Sequence, residues 1–390
     1  MEGFSSRSRF AAETNRVTTA LAEARSGQRV VLDLSESNPT QTGLSPRARE
    51  LLPLLSDARL DKYEPEPFGL LSAREAVCAE LAQRGFEVPP GQLMLSASTS
   101  EAYGYLFKLL CDPGDSVLVP APSYPLFDVL AQLEQVRLIP YRLQYDGEWH
   151  LDRSALGEAD ERTRAIVVVH PNNPTGSYLK HSELAALCEL GLPIISDEVF
   201  ADYALSEDPE RCVSALEVAD QALVFQLGGL SKGCALPQLK LAWTAFAGPD
   251  SAQVEDARAR LEHIADAYLS PSAQVQLALP KLLATGVATR ERIRGRVRDN
   301  LALLERALFE TAASVLRVEG GWYAIVRLPN VLDDEQWALA FLEQDSVLVQ
   351  PGYYYDLARG PQVVVSLIVE SEVMREAAAK IASRVRAISG

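Results

Sequence analysis

The sequence predicts an α/β fold, with a large and mostly parallel sheet followed by a smaller α+β part. Up to about residue 275, short runs of apolar and β-branched residues alternate with longer stretches of helical apolar spacing. Such alternation indicates βαβ units, in which consecutive strands run parallel and helices cover the sheet. After residue 275 the pattern changes to two helical stretches, two strand regions and a terminal helix. This change predicts a second, smaller structural unit.

The strands of the large sheet are predicted from their apolar, β-branched character. They are residues 93–97, 116–120, 165–170, 193–197, 222–227 and 241–246. The helices between them, predicted from apolar residues three and four apart, are 100–111, 124–133, 181–190 and 250–266. In the second unit we predict helices over 274–283 and 290–314, strands near 315–328 and 363–368, and a final helix over 372–387. Ligands of open α/β sheets bind at the carboxyl ends of the strands, so the residues that follow each strand are the first candidates for a site.

Composition limits the classes of partner. The 390 residues carry 37 Lys and Arg against 53 Asp and Glu, a formal net charge of −16, and 47% of them are hydrophobic. This hydrophobic fraction is typical of a folded chain, and the length suits two or three domains, or one large fold with an added lobe. The acidic balance argues against nucleic acid or an anionic membrane surface as a partner, because both attract basic proteins. It leaves room for a small anionic ligand in a local basic pocket.

The cysteines and histidines predict neither disulfides nor a metal site. The five cysteines are widely spaced without a C-x-x-C pair, and the four histidines show no metal-ligand spacing. The first residues lack the apolar segment of a secretory signal, and no apolar run approaches the ~18 residues of a membrane span. We therefore expect a soluble, cytoplasmic protein that has no metal, membrane or nucleic acid as a partner.

Two predicted strands end in residues suited to holding a ligand. Ser98, Thr99 and Ser100 open a helix after strand 93–97, where hydroxyl and free backbone N–H groups can hold a phosphate. An ordinary helix N-cap needs only one such hydroxyl, and for this segment alone the cap is the simpler interpretation. Strand 165–170 ends in HPNNPTG (170–176), a rigid turn that presents the amide of Asn173 in a fixed direction. A tight turn without a ligand would have the same composition.

Two further strands end in charged residues. Asp197 follows an apolar run that would bury its carboxylate, so it would need a cationic partner. Lys232 lies in Leu-Ser-Lys-Gly after strand 222–227, and a lysine among small and apolar residues can have a lowered pKa and act as a Schiff-base nucleophile. Taken alone, Asp197 has the alternative of an exposed acid or a helix cap, and Lys232 that of a solvated loop lysine. The order of all four features along one sheet calls for a joint explanation.

Together these motifs resemble the pyridoxal-phosphate enzymes of fold type I, and specifically the class I/II aminotransferase family. The most specific elements are HPNNPTG at 170–176, DEVF from Asp197 and LSK ending at Lys232. Supporting elements are YEPEPFGLLSAREAV from Tyr63, PAPSYP around Tyr124, SPSAQVQ at 270–276 and EGGWYAIVRLP at 319–329. The resemblance extends from about Asp33 to the C-terminus. It implies a large pyridoxal-phosphate-binding domain of residues 45–275 with a mostly parallel seven-stranded sheet, and a small α+β domain built from residues 1–44 and 276–390.

The resemblance also implies roles for individual residues. Lys232 would form a Schiff base with pyridoxal 5′-phosphate and move the substrate proton, while Asp197 would keep the ring nitrogen protonated. Asn173 would donate to the phenolic oxygen of the ring, and Tyr124 would stack on its face. The other cofactor contacts would come from Ser98, Thr99, Ser100, Phe200, Ser231, Lys240 and, from the other subunit, Tyr63. A homodimer with active sites at its interface is therefore implied.

The sequence departs from the family pattern at five positions that contact substrate or cofactor. The arginine that usually clamps the substrate α-carboxylate is expected two residues before Ser366, and this position is Val364. The other departures are Lys240 for a phosphate-binding arginine, Phe200 for a tyrosine, Gly229 for a serine and Ser37 for a glycine. Cofactor binding is therefore expected to be weaker but intact, whereas carboxylate recognition has to be rebuilt.

We predict an aminotransferase that transfers an amino group between an amino acid and a 2-oxo acid. Substrate contacts would come from Ser37, Asn38, Asn173 and Arg359, although a solvated loop position is the simpler interpretation of Arg359 alone. The alternatives are another reaction of the same cofactor (lyase, decarboxylase or oxidase) and, less favoured, a non-catalytic cofactor-binding protein. Four residues would suit an aromatic pocket or, more commonly, core or dimer packing: Trp322, Tyr353, Tyr354 and Tyr355.

Overall fold

The structure, a computed structural model, describes residues 3–10, 15–357 and 359–389. The strands are β1 (Leu32–Asp33), β2 (Leu93–Ser96), β3 (Ser116–Ala121), β4 (Arg137–Tyr145), β5 (Trp149–Leu151), β6 (Thr163–Val169), β7 (Ile194–Asp197), β8 (Val224–Gly229), β9 (Ala242–Ala247), β10 (Ser314–Val315), β11 (Tyr323–Arg327), β12 (Val347–Leu348), β13 (Gln350–Pro351) and β14 (Gln362–Ser366). The α-helices are α1 (Arg16–Ser26), α2 (Ala48–Leu51), α3 (Leu71–Gln83), α4 (Thr99–Leu110), α5 (Leu126–Glu134), α6 (His181–Cys188), α7 (Leu230–Gly233), α8 (Ser251–Asp266), α9 (Ala273–Leu308), α10 (Asp334–Asp345) and α11 (Ser371–Ser389).

The central sheet has eight strands in the order β2-β9-β8-β7-β6-β3-β4-β5. From β8 to β4 consecutive strands pair in parallel, whereas β9 lies antiparallel between β2 and β8. The predicted α/β fold with a large, mostly parallel sheet is confirmed, and each strand predicted for it is present. The strand beyond the expected seven is β5, which pairs antiparallel with β4 through a short hairpin.

Two strands of this sheet show what the sequence could and could not predict. β6 is buried at six of its seven positions, so it appears in the sequence as a continuous run of β-branched residues. β4 was not predicted, because the exposed Arg137 and Arg142 interrupt its apolar pattern. It is nevertheless fixed in parallel to β3 from Arg137 to Arg142.

A second, antiparallel sheet has the order β10-β11-β14-β13. Its two central strands pair with Tyr323 opposite Ser366 and Ile325 opposite Val364. β1, from the start of the chain, pairs in parallel with β12 with Leu32 opposite Val347, and so joins the C-terminal part. The division into domains of residues 45–275 and of 1–44 with 276–390 remains a prediction.

The prediction of two helices over 274–283 and 290–314 is wrong, because the chain forms one 36-residue helix, α9. Pro280 lies inside this helix. Gly286 packs against Cys234, and a Cβ built at Gly286 would lie 2.5 Å from the Cys234 Sγ. This glycine therefore marks a close contact and not the end of a helix. Neither α9 nor any other helix of the described residues combines the length and apolar character that crossing a bilayer requires.

Candidate active site

The carboxyl ends of three neighbouring strands bring the predicted site residues together. Asn173 lies in the turn after β6, Asp197 is the last residue of β7, and Lys232 lies in α7 directly after β8. These strands are parallel neighbours, and adjacent strands lie about 4.8 Å apart, so the three residues share one edge of the sheet. Ser98 follows β2, two strands further along the same sheet.

Lys232 extends into an aromatic environment. Its Nζ lies 5.0 Å from the ring centroid of Trp322 and 5.6 Å from that of Phe200. Burial lowers the pKa of the Lys232 amine to about 8, against the opposing effect of the Asp197 charge. A larger fraction of this amine is therefore neutral near physiological pH than of an ordinary lysine, as a nucleophile requires.

Asp197 is a half-buried carboxyl group that accepts hydrogen bonds from two donors. The hydroxyl of Tyr103 donates to Oδ2 at 3.3 Å, and the backbone N–H of Val199 donates to Oδ1 at 3.2 Å. Burial raises the pKa of Asp197 to about 6, and the hydrogen bonds from Val199 and Tyr103 oppose this effect. A cationic partner would favour the ionised form of this carboxyl group.

The N-terminus of α4 forms the candidate phosphate end of the site. Ser98 is the N-cap, and its Oγ accepts a hydrogen bond from the backbone N–H of Glu101 at 3.2 Å. Thr99 and Ser100 lie half-buried in the first helical turn. Lys240 is exposed and adopts a left-handed backbone conformation with φ of 51°. The ordinary cap interaction is thus present at Ser98, and two hydroxyls and the first-turn N–H groups lie beside it.

The turn at 170–176 is fixed from both sides. Oδ1 of Asn172 accepts a hydrogen bond from the Thr175 hydroxyl at 3.1 Å, and the Gly176 carbonyl accepts one from the backbone N–H of Gly320 at 2.9 Å. Asn173 is buried, and its Oδ1 has no hydrogen-bond partner within the described part of the chain. The turn therefore holds a buried amide whose capacity for hydrogen bonds is not used up by the protein.

Val364 lies in a buried row of β14, with Ile325 and Gln350 as its neighbours on the adjacent strands. An aliphatic side chain thus fills the position where the family pattern expects a guanidinium group. Two residues along, Ser366 is opposite Tyr323. Burial raises the pKa of Tyr323 to about 12, and a hydrogen bond with Ser37 opposes the shift. Ser37 therefore lies close to Tyr323 of the small sheet, and its substrate role remains a prediction.

Two other predicted substrate residues, Asn38 and Arg359, form hydrogen bonds with neighbouring parts of the chain. Oδ1 of Asn38 accepts hydrogen bonds from the backbone N–H and the hydroxyl of Thr40, so this amide stabilises its own turn. Arg359 is exposed, and its Nη2 donates to Oε1 of Gln144 at 3.4 Å. These contacts do not test a substrate role, and for both residues that role remains a prediction.

The structure shows the packing around two departures from the family pattern, Gly229 and Phe200. A Cβ at Gly229 would lie 3.1 Å from the Cβ of Ala242 and 3.2 Å from the Leu241 carbonyl, so a serine would be crowded. Phe200 is buried, and its ring packs against Trp322 at a centroid distance of 5.2 Å. The aromatic ring of the usual tyrosine is thus retained while its hydroxyl is lost.

The remaining predicted cofactor residues and the aromatic candidates differ in exposure. Tyr63 is 79% exposed and Tyr124 is 45% exposed. Ser231 is half-buried beside Lys232. Among the four aromatic candidates, Trp322 is buried next to Lys232, Tyr355 is buried, and Tyr353 packs against Tyr354 at the surface.

Tyr103 and Tyr323 lie beside the candidate site, and no sequence motif singles them out. Tyr103 lies in the middle of an ordinary helical pattern, and nothing in its spacing indicates a hydrogen bond to Asp197. Tyr323 belongs to the quoted EGGWYAIVRLP segment, and its alternation with Ile325 on one strand face was the available signal.

These residues fit pyridoxal 5′-phosphate. Asp197 offers a half-buried carboxyl group for a protonated ring nitrogen, Asn173 offers a buried side-chain amide, and α4 offers an N-terminus for the phosphate. Lys232 offers an amine with a lowered pKa. The fold and the site together define a pyridoxal-phosphate-dependent enzyme of fold type I.

Comparison with known proteins narrows this class. The family described as "Aminotransferase class I and II" matches residues 29–381, so the chain belongs to the class I and II aminotransferase family. An alanine aminotransferase of Mycobacterium tuberculosis is 30% identical over 306 residues, which cover 73% of this chain and 69% of that protein. An S-alkyl-thiohydroximate lyase of Arabidopsis thaliana is 26% identical over 343 residues, which cover 83% of this chain and 72% of that protein.

Solved structures agree in fold. The crystal structure of an aminotransferase from Escherichia coli superposes with a TM-score of 0.86 and 22% identity, covering 100% of this chain and 98% of that one. An alanine aminotransferase from Pyrococcus furiosus gives a TM-score of 0.85, with 95% and 96% covered. The predicted family, fold class, cofactor and enzyme class, a pyridoxal-phosphate-dependent aminotransferase, are confirmed.

Proposed function

We propose that this protein transfers an amino group between an amino acid and a 2-oxo acid, with Lys232 and Asp197 as its catalytic residues. The observation that carries the proposal is the placement of these two residues at the ends of neighbouring parallel strands, each half-buried and each with a shifted pKa. An amine with a lowered pKa beside a half-buried carboxyl group is suited to hold the cofactor covalently and to move a proton.

Each residue of the site would have a defined task. Asp197 would hold the ring nitrogen in its protonated form, and Asn173 would donate to the phenolic oxygen. When bound, pyridoxal 5′-phosphate supplies an electron-withdrawing ring that acidifies the Cα–H bond of the substrate. Lys232 would attach the cofactor and then carry the proton through its Nζ, while Trp322 and Phe200 keep water away from this nitrogen.

The phosphate and the outer side of the ring would be held by the remaining residues. The first-turn N–H groups of α4 and three hydroxyls would bind the phosphate, with Lys240 as a point charge in place of the usual arginine. The three hydroxyls are those of Ser98, Thr99 and Ser100, while Ser231 would also contact the cofactor and Tyr124 would lie against the ring. The exposure of Tyr63 supports a homodimer in which it reaches the site of the partner. We also propose the two-domain division and the cytoplasmic location stated above.

A second candidate is a lyase reaction on the same cofactor. Two observations favour it: Val364 replaces the expected carboxylate clamp, and one relative is an S-alkyl-thiohydroximate lyase. Lys232 and Asp197 would serve either reaction, because both begin with the weakening of a bond at Cα. The two reactions differ in whether the amino group stays on the cofactor.

Absorption spectra of the purified protein test the proposal. We expect the wild type to show the visible absorption band of covalently held cofactor, and Lys232→Ala to lose it. Lys380→Ala, at a partly exposed lysine of α11, is the matched control and should keep the band. An amino acid should convert the cofactor to its amine form, and a 2-oxo acid should restore the band. A wild type that never retains pyridoxal phosphate would refute the proposal, and release of ammonia with the band retained would favour the lyase.

A further inference from the structure

Three side chains of the types that bind transition metals converge near the start of α6. Nδ1 of His181 lies 3.5 Å from Sγ of Cys212 and 3.0 Å from Oε2 of Glu217. These three atoms all lie within 4.8 Å of one another. The sequence predicts no metal site, because His181 and Cys212 are 31 positions apart and do not form a motif of closely spaced ligands. The folded chain nevertheless brings a nitrogen, a sulfur and an oxygen ligand together.

The distances within this cluster suit tetrahedral coordination. Zinc binds histidine nitrogen at about 2.0–2.1 Å, cysteine sulfur at about 2.3 Å and carboxylate oxygen at about 2.0–2.2 Å. In a tetrahedron with these bond lengths, two ligand atoms lie about 3.4–3.6 Å apart. The observed separations from Nδ1 of His181, 3.5 Å to the sulfur and 3.0 Å to the oxygen, are close to these values. Small side-chain rotations would therefore let one ion contact all three atoms.

Backbone hydrogen bonds hold the two segments that carry the histidine and the cysteine. The backbone N–H of His181 donates to the Glu210 carbonyl at 2.9 Å, and the backbone N–H of Cys212 donates to the Leu179 carbonyl at 3.0 Å. The two segments thus lie side by side, and the fold fixes the relative position of both ligand-bearing backbones.

The third ligand is oriented by a hydrogen bond of its own. Oε1 of Glu217 accepts a hydrogen bond from the backbone N–H of Val213 at 2.6 Å, while Oε2 faces His181. The His181 side chain is 52% exposed and that of Glu217 is 24% exposed, whereas Cys212 is 1% exposed. An ion can therefore reach the cluster from solvent, and water can fill a fourth coordination position.

The electrostatic surroundings of Cys212 favour a cation. Burial and the carboxylates of Glu217, Glu183 and Glu198 raise the pKa of the Cys212 thiol to about 12. The charges that shift this pKa are thus negative, and a bound divalent cation would offset them and stabilise the thiolate. Without a cation the sulfur is protonated at neutral pH and is only a weak hydrogen-bond partner.

We propose that His181, Cys212 and Glu217 bind one zinc ion through Nδ1, Sγ and Oε2, with water as the fourth ligand. Cys212 would bind as the thiolate, and the proton of its Sγ–H would pass to solvent when the Zn–S bond forms. Imidazole and thiolate ligands select zinc over magnesium and calcium, which prefer oxygen ligands. The inference does not rest on the proposed function.

The ion would stabilise the segment against which the 170–176 turn is held. Nδ1 of His170 accepts a hydrogen bond from the backbone N–H of Leu179 at 3.0 Å, so its Nε2 carries the ring proton and donates it to the Cys212 carbonyl at 3.0 Å. His170 is the first residue of the turn that contains Asn173. A zinc ion on Cys212 would therefore have a structural role, and it would stabilise the folded chain.

Calorimetric titration with zinc chloride tests this inference. The holoenzyme is first treated with a chelator and then freed of chelator and unbound cofactor. We expect one zinc ion per chain, and we expect His181→Asn and Cys212→Ser each to weaken its binding at least about tenfold. His150→Asn is the matched control, because His150 lies 3.5 Å from Asp146 in a similar ion pair, and it should bind zinc as the wild type does.

Two further measurements identify the sulfur ligand. Cobalt(II) should give the wild type the visible absorption of a tetrahedral thiolate complex, which zinc should abolish and Cys212→Ser should lack. Zinc at roughly 100 times its dissociation constant should raise the thermal midpoint of the wild type by about 3 °C, and that of Cys212→Ser by much less.

Wild-type protein that binds no zinc would overturn the inference. Equal zinc affinity in the wild type, His181→Asn and Cys212→Ser would also overturn it. Cys212→Ser keeps the His181–Glu217 pair, so unchanged binding in this variant would show that the thiolate is not a ligand. Since His181 is half-exposed, His181→Asn gives a second variant that does not disturb buried packing. Zinc binding is measured without turnover, so its failure would leave the proposed amino transfer untouched, and loss of the cofactor band would leave the zinc site untouched.

Discussion

Tyr103 donates its hydroxyl hydrogen to Oδ2 of Asp197 at 3.3 Å, across a sequence separation of 94 residues. Tyr103 lies in α4, whose N-terminus is the candidate phosphate end of the site. One helix would therefore serve both ends of a bound cofactor. Its first turn would face the phosphate, and its second turn carries the tyrosine that holds the carboxyl group of Asp197.

Replacing Tyr103 by phenylalanine should disturb Asp197 without removing any apolar packing. Oδ2 would lose its side-chain donor, which costs about 2 kcal/mol for a charged acceptor. The pKa of Asp197 should rise further, because this hydrogen bond is one of the interactions that lower it. We expect the dissociation constant for pyridoxal phosphate, measured by fluorescence titration, to increase at neutral pH.

Tyr141→Phe is the control for that experiment. Tyr141 is buried as well, and its hydroxyl donates to the backbone carbonyl of Val167 at 2.9 Å. It should lose a similar free energy of unfolding while keeping the wild-type affinity for the cofactor. Equal affinities in the two variants would show that the Tyr103 hydroxyl does not support Asp197.

Two groups whose pKa values are shifted by burial should give the cofactor-free protein opposing responses to acid. Burial raises the pKa of Asp197 to about 6. Between about pH 4 and 6 this carboxyl group is ionised in the unfolded chain only, so its contribution destabilises the fold as the pH rises through that range.

Burial lowers the pKa of His170 to about 4. Between about pH 6.5 and 4 this imidazole is protonated in the unfolded chain only, so its contribution destabilises the fold as the pH falls through that range. Each contribution is on the order of 3 kcal/mol.

Urea unfolding at pH 4, 5 and 6 separates these two contributions. Asp197→Asn should lose stability on acidification more steeply than the wild type, because the opposing effect of His170 is then uncompensated. His170→Asn should lose stability less steeply, or gain it. Parallel stability curves for the three proteins would contradict both assignments.

Gly176→Ala should break the contact between the 170–176 turn and the small-sheet segment. Gly176 has φ of +69°, and a Cβ there would lie 2.6 Å from the carbonyl oxygen of Gly320. Gly191 has φ of +65° with no atom within 4 Å of its Cβ position, so Gly191→Ala carries the backbone strain alone. We expect Gly176→Ala to lose about 2 kcal/mol more free energy of unfolding than Gly191→Ala. Equal losses would mean that the close approach at Gly320 relaxes freely.

Gly229→Ser, which restores the residue of the family pattern, should destabilise this protein. Its Cβ would approach Ala242 and the Leu241 carbonyl more closely than ordinary contacts allow, at a cost of about 1–3 kcal/mol. Gly295→Ser provides the comparison, because the Cβ position of Gly295 is open, and its effect should stay within about 0.5 kcal/mol. Thermal unfolding of both variants measures the difference, and an undisturbed Gly229→Ser protein would contradict the crowding at β8.

The sequence predicts the central sheet well because its strands are buried on both faces and appear as continuous apolar runs. It predicts β4 and the unbroken α9 poorly, since exposed arginines interrupt the first and Pro280 and Gly286 interrupt the second. In both cases a tertiary contact overrides the local pattern. For β4 this contact is the pairing with β3, and for α9 it is the packing of Gly286 on Cys234.

For the site, the sequence predicts residues that follow strands and misses those that reach the site from elsewhere. Asp197 and Lys232 follow strands directly, whereas Tyr103 comes from the middle of a helix. Spacing likewise could not show that His181, Cys212 and Glu217 have ligand atoms within 4.8 Å of one another. Within this cluster, Nδ1 of His181 lies 3.0 Å from Oε2 of Glu217.

The pairing of β1 with β12 has a consequence for synthesis on the ribosome. Leu32 leaves the exit tunnel early, but its partner Val347 is made 315 residues later. At about 5–20 residues per second, this strand waits on the order of 16–60 s before it can pair. The N-terminal segment thus stays without its native neighbours during most of translation, and chaperones that hold nascent chains have that interval in which to act on it.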